Sequence, residues 1–448
     1  MKSRKFAMMF TLFVLVAMLA AACAPVAAPT AAPAKPTEAA TPTPVPEKVK
    51  IKVWFHSGKG EERAVLDAQV EDFNTMQDEV EVEAIRLPEG SYNEQVSAAA
   101  LAGDLPDLLD FDGPFLYNYA WAGYLTPLDP YVSDELKADF LPSIIAQGTY
   151  GGKLYSLGTF DSGLAIWGNK VYLEKAGVRI PTSVEDAWTF EEFKDALKKL
   201  QALGEVEYAI DFKMNYGQGE WYTYGFSPIV QGFGGDLIDR ADYMSADGVL
   251  NGPEAVEAMT WFQSLFQEGY SNVKPAGDDD FYGRKITALS YVGHWMWTPH
   301  KNGLGDDLVL IPMPKWPKRP ATGMGSWCWG ITSQSKHPEA AWKFLEYLID
   351  PDQILRMTNA NGAVPARKSA LAKSELYGEG GPLNIFVQQL AGGVAIPRPI
   401  TPAYPTITAA FAEAVQNIVT GADVKTELDK AVKKIDQDIQ DHQGYPIK

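Results

Sequence analysis

Between residues 49 and 111 the hydrophobic period switches repeatedly between two and about 3.6, and few folds tolerate such a pattern. Val49, Ile51, Val53 and Phe55 alternate with Lys50, Lys52 and Trp54, the period of a strand. The loop His56-Ser57-Gly58-Lys59-Gly60 follows. The spacing of Val65, Ala68, Asp72 and Phe73 then predicts a helix over 61–76, with acidic residues in its first turn, where the helix dipole favours them. Val80, Val82 and Ala84 alternate with Glu79, Glu81 and Glu83 as a second strand. A third strand, Asp107 to Phe111, comes after another helix. A β-α-β-α-β order requires right-handed crossovers, so the predicted class is α/β, with a mostly parallel sheet covered by helices on both faces. Ligands of such open sheets bind beyond the carboxyl ends of the strands. Those ends carry His56, Ser57 and Asp112. Gly58 and Gly60 lack the third glycine of a dinucleotide-binding loop.

Two later helices announce their own boundaries. Thr189 and Glu192 form a capping box ahead of the apolar stripe Phe193, Ala196, Leu197 and Leu200, with Gly204 at the end. Pro338 suits a first helical turn before Ala341, Leu345, Leu348 and Ile349, and Pro351 closes that stretch. No internal repeat is present. A chain of 448 residues exceeds one ordinary core, which points to two lobes plus processing segments.

The net charge of −18 argues against nucleic-acid binding, which needs basic stripes to displace counterions. Lys315 to Arg319 is the one dense basic cluster, and its prolines make it a solvated turn. The negative surface also repels anions at long range, favouring a neutral or cationic solute. Two cysteines, Cys23 and Cys328, cannot build a zinc cluster, and the five histidines show no paired ligand spacing, so no metal or cofactor is expected. Asp278-Asp279-Asp280 lacks the spacing of a calcium loop and reads as solvated surface.

The N-terminus has the layout of an export signal. Lys2, Arg4 and Lys5 precede an uncharged apolar run from Phe6 to Ala22, short for a permanent span. Leu19-Ala20-Ala21-Ala22-Cys23 resembles a bacterial lipobox, in which cleavage leaves the cysteine lipidated. Ala20 stands where that motif usually has leucine, so simple secretion and an uncleaved anchor stay open. Residues 23–47 carry Cys23 and a Pro/Ala/Thr-rich stretch that cannot bury a core and reads as a semi-stiff tether. With Cys23 lipidated, Cys328 is a free thiol, packed rather than reactive.

Six blocks, in order along the chain, carry a family resemblance. They are GDLPDLLDFDGPFLYNYAWAGYLTPLDPYV (103–132), GGKLYSLGTFDSGLAIWGNKVYLEKAGV (151–178), VGHWMW (292–297), GMGSWCWGITSQSKHPEAAWKFLEYLIDPD (323–352), NGAVPARKSA (361–370) and RPITPAYPTI (398–407). Together they resemble the sugar-binding group of extracellular solute-binding proteins of ABC transporters, over essentially all of residues 48–440. The resemblance implies a two-lobed periplasmic-binding-protein-like fold with discontinuous lobes, 48–159 plus 322–360 and 160–321 plus 361–448, and a sugar held in the cleft between them. It further implies cleft closure around the ligand, delivery to membrane permease subunits and a monomeric receptor.

The same resemblance singles out site residues, each with a plainer structural alternative. Sugar hydroxyls take charged hydrogen-bonding groups, and sugar C–H faces take flat aromatic rings. Asp112, after the third strand, and Asp161, at the first lobe crossing, are candidate acceptors; a turn and a crossing hydrogen bond are their alternatives. His56 and Glu61 lie at the first strand–helix loop, where Glu61 also fits a dipole-favoured helix start. Trp295 and Trp327, both next to glycine-containing turns, match stacking tryptophans of the family, against a core role. Trp221 and Tyr222 fall in a Gly-rich stretch without helical or strand period and read as cleft residues. Arg398 is placed to fork onto two hydroxyls, onto Asp112, or into a structural ion pair. A polyol or glycerophosphodiester is the alternative ligand. A glycosidase would use a similar residue set, but no motif singles out a catalytic carboxylate pair. An adhesive surface lipoprotein would share the tether but not the long α/β body.

Overall fold

The computed structural model describes residues 47–378 and 380–447. The expected signal peptide, Cys23 and the tether up to residue 46 lie outside them. The opening pattern folds as its periods require. Strands β1 (Val49–His56), β2 (Val80–Leu87) and β3 (Leu108–Asp112) are parallel, with Val49 opposite Val80 and Val53 opposite Leu108. Helix α1 (Gly60–Met76) links β1 to β2, and helix α2 (Tyr92–Ala102) links β2 to β3. The buried face of α1 is Glu62, Leu66, Gln69 and Phe73, rotated from the expected stripe of Val65, Ala68 and Asp72.

The chain then builds a second sheet from β4 (Leu164–Asn169), β5 (Tyr208–Asp211), β6 (Thr287–Gly293) and β7 (Leu308–Ile311), in spatial order β7-β4-β6-β5. It returns as β8 (Trp327–Ile331), which joins the first sheet antiparallel to β3, with Trp327 opposite Asp112. The first sheet therefore runs β8-β3-β1-β2. The mostly parallel expectation describes this sheet. The second is mixed: only β5 and β6 are parallel, and β4 is antiparallel to both its neighbours.

Alternation sends neighbouring residues of each strand to different cores. Ile51, Val53, Phe55 and Leu108 pack with Leu66 and Phe73 of α1 and with Phe344 and Leu345 of helix 338–348. Leu109 and Phe111 pack on the other face with Tyr92, Leu116 and Cys328. Each fully buried side chain of this size contributes about 1.5–3 kcal/mol. The core of the second sheet gathers Ile166, Phe193, Phe226, Phe262 and Phe411. The capping box at Thr189 is formed, Pro338 occupies a first turn, and Pro351 opens a further helix, 351–361. Cys328 is buried with its thiol directed at the Phe111 carbonyl, and burial pushes its pKa up.

Two short pairings mark where the chain passes between the sheets. Phe160–Asp161 pairs with Val364–Pro365, and Thr322–Met324 pairs with Ala395–Pro397. Ala363, Ala366 and Ala370 pack into the first core. Lys315, Lys318 and Arg319 are exposed around the buried Trp316. The aspartates at 278–280 differ from their expected solvated state: Asp280 is 1% exposed and pairs with Arg284, and Asp278 is half-buried between two lysines.

Candidate ligand-binding cavity

Register brings three strand ends together. His56 closes β1, Asp112 closes β3, and Trp327 opens β8 directly opposite Asp112. They form one wall of a cavity of about 260 Å³. Its other wall comes from the loop 214–219, the start of helix 220–233, the end of β6 and Arg398.

On the first wall His56 is almost wholly buried. Its Nδ1 hydrogen-bonds Asp110, its Nε2 lies 3.8 Å from Glu62 Oε2, and its ring stacks on Trp327 at 3.8 Å between centroids. Burial alone pushes an imidazole pKa down. Asp110 and Glu62 outweigh burial here and hold His56 well above its usual value. Burial pushes Glu62 up, but His56 and the Asn361 amide, 3.2 Å away, bring it below its ordinary value.

Where the walls meet, Arg398 forks onto Asp112, with Nη1 to Oδ2 at 2.6 Å and Nη2 to Oδ1 at 2.7 Å. The same Nη1 donates to Glu220 Oε1 at 2.6 Å. Glu220 also accepts from the Tyr404 hydroxyl and, at 2.7 Å, from the Thr408 hydroxyl. Burial raises the Glu220 carboxyl, and these donors oppose it. The Arg398 guanidinium lies 4.7 Å from the centre of the Tyr224 ring.

The second wall is aromatic. Trp295 donates to the Tyr216 hydroxyl at 3.1 Å and stands perpendicular to Trp221, 5.8 Å between centroids. Gly293 allows this fold-back, because a Cβ there would lie 2.1 Å from the Trp295 ring. Beneath the aromatics His294 Nδ1 donates to the Asn361 carbonyl at 2.9 Å, which leaves Nε2 to accept from the Ser162 hydroxyl at 2.7 Å. Burial pushes this imidazole down to about 4. At the rim Lys59 pairs with Asp278 at 3.0 Å and lies 4.6 Å from the Tyr216 ring centre. Asp278 is steadied from behind by Lys213, at 3.3 Å, whose ammonium is fully buried and also pairs with Asp211 at 2.8 Å.

Six sequence-predicted residues thus line one cavity: His56, Asp112, Trp221, Trp295, Trp327 and Arg398. Three do not. Glu61 is exposed, and its neighbour Glu62 faces inward instead. Tyr222 is 1% exposed in the second core and donates to Gln416 at 3.0 Å. It and Trp221 belong to helix 220–233 rather than a loop. Asp161 is buried in the crossing, where Oδ1 accepts from the backbone N–H of Ser162 (2.8 Å) and Gly325 (3.1 Å). Gly325 needs φ +92°, and a Cβ would lie 2.4 Å from Gln147 Oε1, so that turn requires glycine. Glu62, Glu220, Tyr216, Tyr224 and His294 also line it, without having been singled out from sequence.

A cavity between two α/β lobes, walled by strand ends on one side and aromatics on the other, defines a two-lobed solute-binding protein. Residues 57–354 match the family described as bacterial extracellular solute-binding protein, and the chain belongs to that family. A maltotriose-binding protein from Pyrococcus abyssi is 25% identical over 340 residues, 73% of this chain and 68% of the relative. The solved cyclic α-maltosyl-1,6-maltose binding protein of Arthrobacter globiformis is 26% identical with TM-score 0.69, covering 88% of this chain and all of that one. An ABC transporter solute-binding protein of Thermotoga lettingae, solved with α-D-tagatose, has TM-score 0.75 at 23% identity and covers 87% of this chain and 99% of that one.

Proposed function

We propose that this protein is the exported receptor of an ABC importer, that it captures a carbohydrate between its lobes, and that it passes the sugar to the permease without chemical change. The observation that carries the reading is the composition of the 260 Å³ cavity, where stacking faces of Trp295 and Trp221 meet fixed charged groups at Asp112, Glu220 and Arg398. Such a site matches the two surfaces of a sugar. The maltotriose-binding and maltosyl-maltose-binding relatives support the ligand class. A glycosidase reading fares worse, because Asp112 and Glu220 are both spent on one guanidinium. The same proposal includes lipidation at Cys23, a tether to residue 47, exchange of the chain between lobes near residues 160, 322 and 361, and a monomeric receptor.

A thermal-shift screen against mono- and oligosaccharides tests it. A ligand at a hundred times its Kd stabilises the native state by about 2.7 kcal/mol. No shift with any carbohydrate, together with a shift by a polyol or glycerophosphodiester, would replace the ligand class. Turnover of an oligosaccharide would overturn binding alone.

A further inference from the structure

Two buried charge clusters flank the cavity, and each holds one carboxylate too many. In the first, Asp110 and Glu62 surround the single cation His56. In the second, Asp112 and Glu220 share the single cation Arg398. His56, Glu62, Asp112, Glu220 and Arg398 all line the cavity. The third cation of the wall, Lys59, is neutralised by Asp278. Glu89, on the rim, accepts from the Gly58 N–H. The cavity therefore presents negative charge from both ends, and its cations already have partners. Inside a low-dielectric site an uncompensated like charge costs far more than at a surface.

We infer that the cavity selects an uncharged sugar and rejects sugar acids, the rejection being made by the Asp110–His56–Glu62 and Asp112–Arg398–Glu220 clusters. The inference rests on the carbohydrate reading above and narrows it. The excess carboxylates present acceptors to hydroxyl donors, whereas a ligand carboxylate would have to displace Asp112 or Glu62 from its cation. That displacement would leave a buried anion unpaired.

Calorimetry with the full chain tests this, using glucose, galactose, mannose, fructose and xylose, the matched uronates glucuronate and galacturonate, and maltose and maltotriose. The expected result is binding of at least one of the neutral sugars, with the uronates at least about a hundredfold weaker, or ~2.7 kcal/mol. Glu220→Gln should narrow the gap between uronate and neutral sugar about tenfold by removing the excess charge of one cluster. Glu62→Gln should do the same from the other cluster, which keeps the test open if one variant folds poorly. A uronate that binds within about tenfold of its neutral partner, or a gap unmoved in both folded variants, overturns the charge selection alone. Absence of binding by every sugar overturns the carbohydrate reading itself, and this inference with it.

Discussion

His56 and His294 stand on opposite walls of the same cavity, both buried, yet one is charged and the other neutral. His56 lies between Asp110 and Glu62, so it keeps its proton well above the usual pKa. His294 meets only a carbonyl and a hydroxyl, so burial wins and its pKa falls to about 4. Asn361 touches both environments, through its side chain to Glu62 and its carbonyl to His294. What decides a buried imidazole's charge is thus the number of carboxylates within reach, not the depth of burial. The first wall is an ionic one, built into a sheet, and the second is an aromatic one around a neutral histidine, with the Glu220–Arg398 pair where the walls meet.

The largest expected difference follows from removing one partner on each wall. Asp110→Ala takes away the carboxylate hydrogen-bonded to the buried His56 Nδ1 and leaves only the more distant Glu62, and should cost about 3–5 kcal/mol. Ser162→Ala removes neutral hydrogen bonds to His294 and Ser326 and should cost about 1–2 kcal/mol. Urea unfolding of both variants measures the contrast. Equal losses would mean that His56 is not held as an ion.

The pH dependence sharpens the same comparison, because the two histidines act with opposite sign. His294 stays neutral while the unfolded histidine protonates, so its contribution is full above about pH 6.5 and falls by up to about 3 kcal/mol on acidification to pH 4. His56 holds its proton when the unfolded residue has lost it. Its contribution is complete below about pH 6.5 and is lost as pH rises through the raised folded value. Stability should therefore peak near neutrality. His294→Asn should flatten the acid limb, and His56→Gln the alkaline limb. Denaturation midpoints between pH 4 and 9 check this, and a His294 variant with an unchanged acid limb would contradict it.

The two walls also differ in how much the sequence disclosed. The ionic wall sits at strand ends, and strands are legible from alternation. His56 and Asp112 therefore fall at one sheet edge on the residue pattern alone, and Trp327 joins them through the family resemblance. One step of helix phase separated the expected Glu61 from Glu62. A single residue turns the helix by about 100°, and the acidic pair Glu61-Glu62 offers no local signal for which one faces inward. The aromatic wall was harder. The glycines of 217–225 left Trp221 and Tyr222 in a stretch without helical or strand period, whereas tertiary burial holds them in helix 220–233, most of whose residues lie inside the core. Glu220 and Asp278 find their cations 178 and 219 residues away, a distance over which periodicity carries no information.

The tryptophans divide along the same line. Trp327 supports the His56 ring as well as facing the cavity, so Trp327→Ala should cost both fold stability and sugar affinity. Trp295 packs on other aromatics and binds only the Tyr216 hydroxyl, so its loss should fall on affinity, about 0.5–1.5 kcal/mol, with a smaller change in unfolding midpoint. Calorimetry paired with thermal melts separates the two, and the reverse pattern would exchange the roles of the walls.

The smallest effect is expected at the rim, where Lys59, in the loop after β1, meets Asp278, ahead of β6. Both side chains are partly exposed, 38% and 28%, so their pairing is worth less than about 1 kcal/mol and is screened by salt. Lys59→Ala should weaken sugar binding by no more than about fivefold at low ionic strength, and the difference should vanish at high salt. Asp278→Asn should do more, because it also strips a partner from the fully buried Lys213, which salt does not reach. If the Lys59 variant instead loses affinity at every ionic strength, this rim pair is screened as little as the buried clusters, and the contrast between an ionic interior and a weak ionic rim fails.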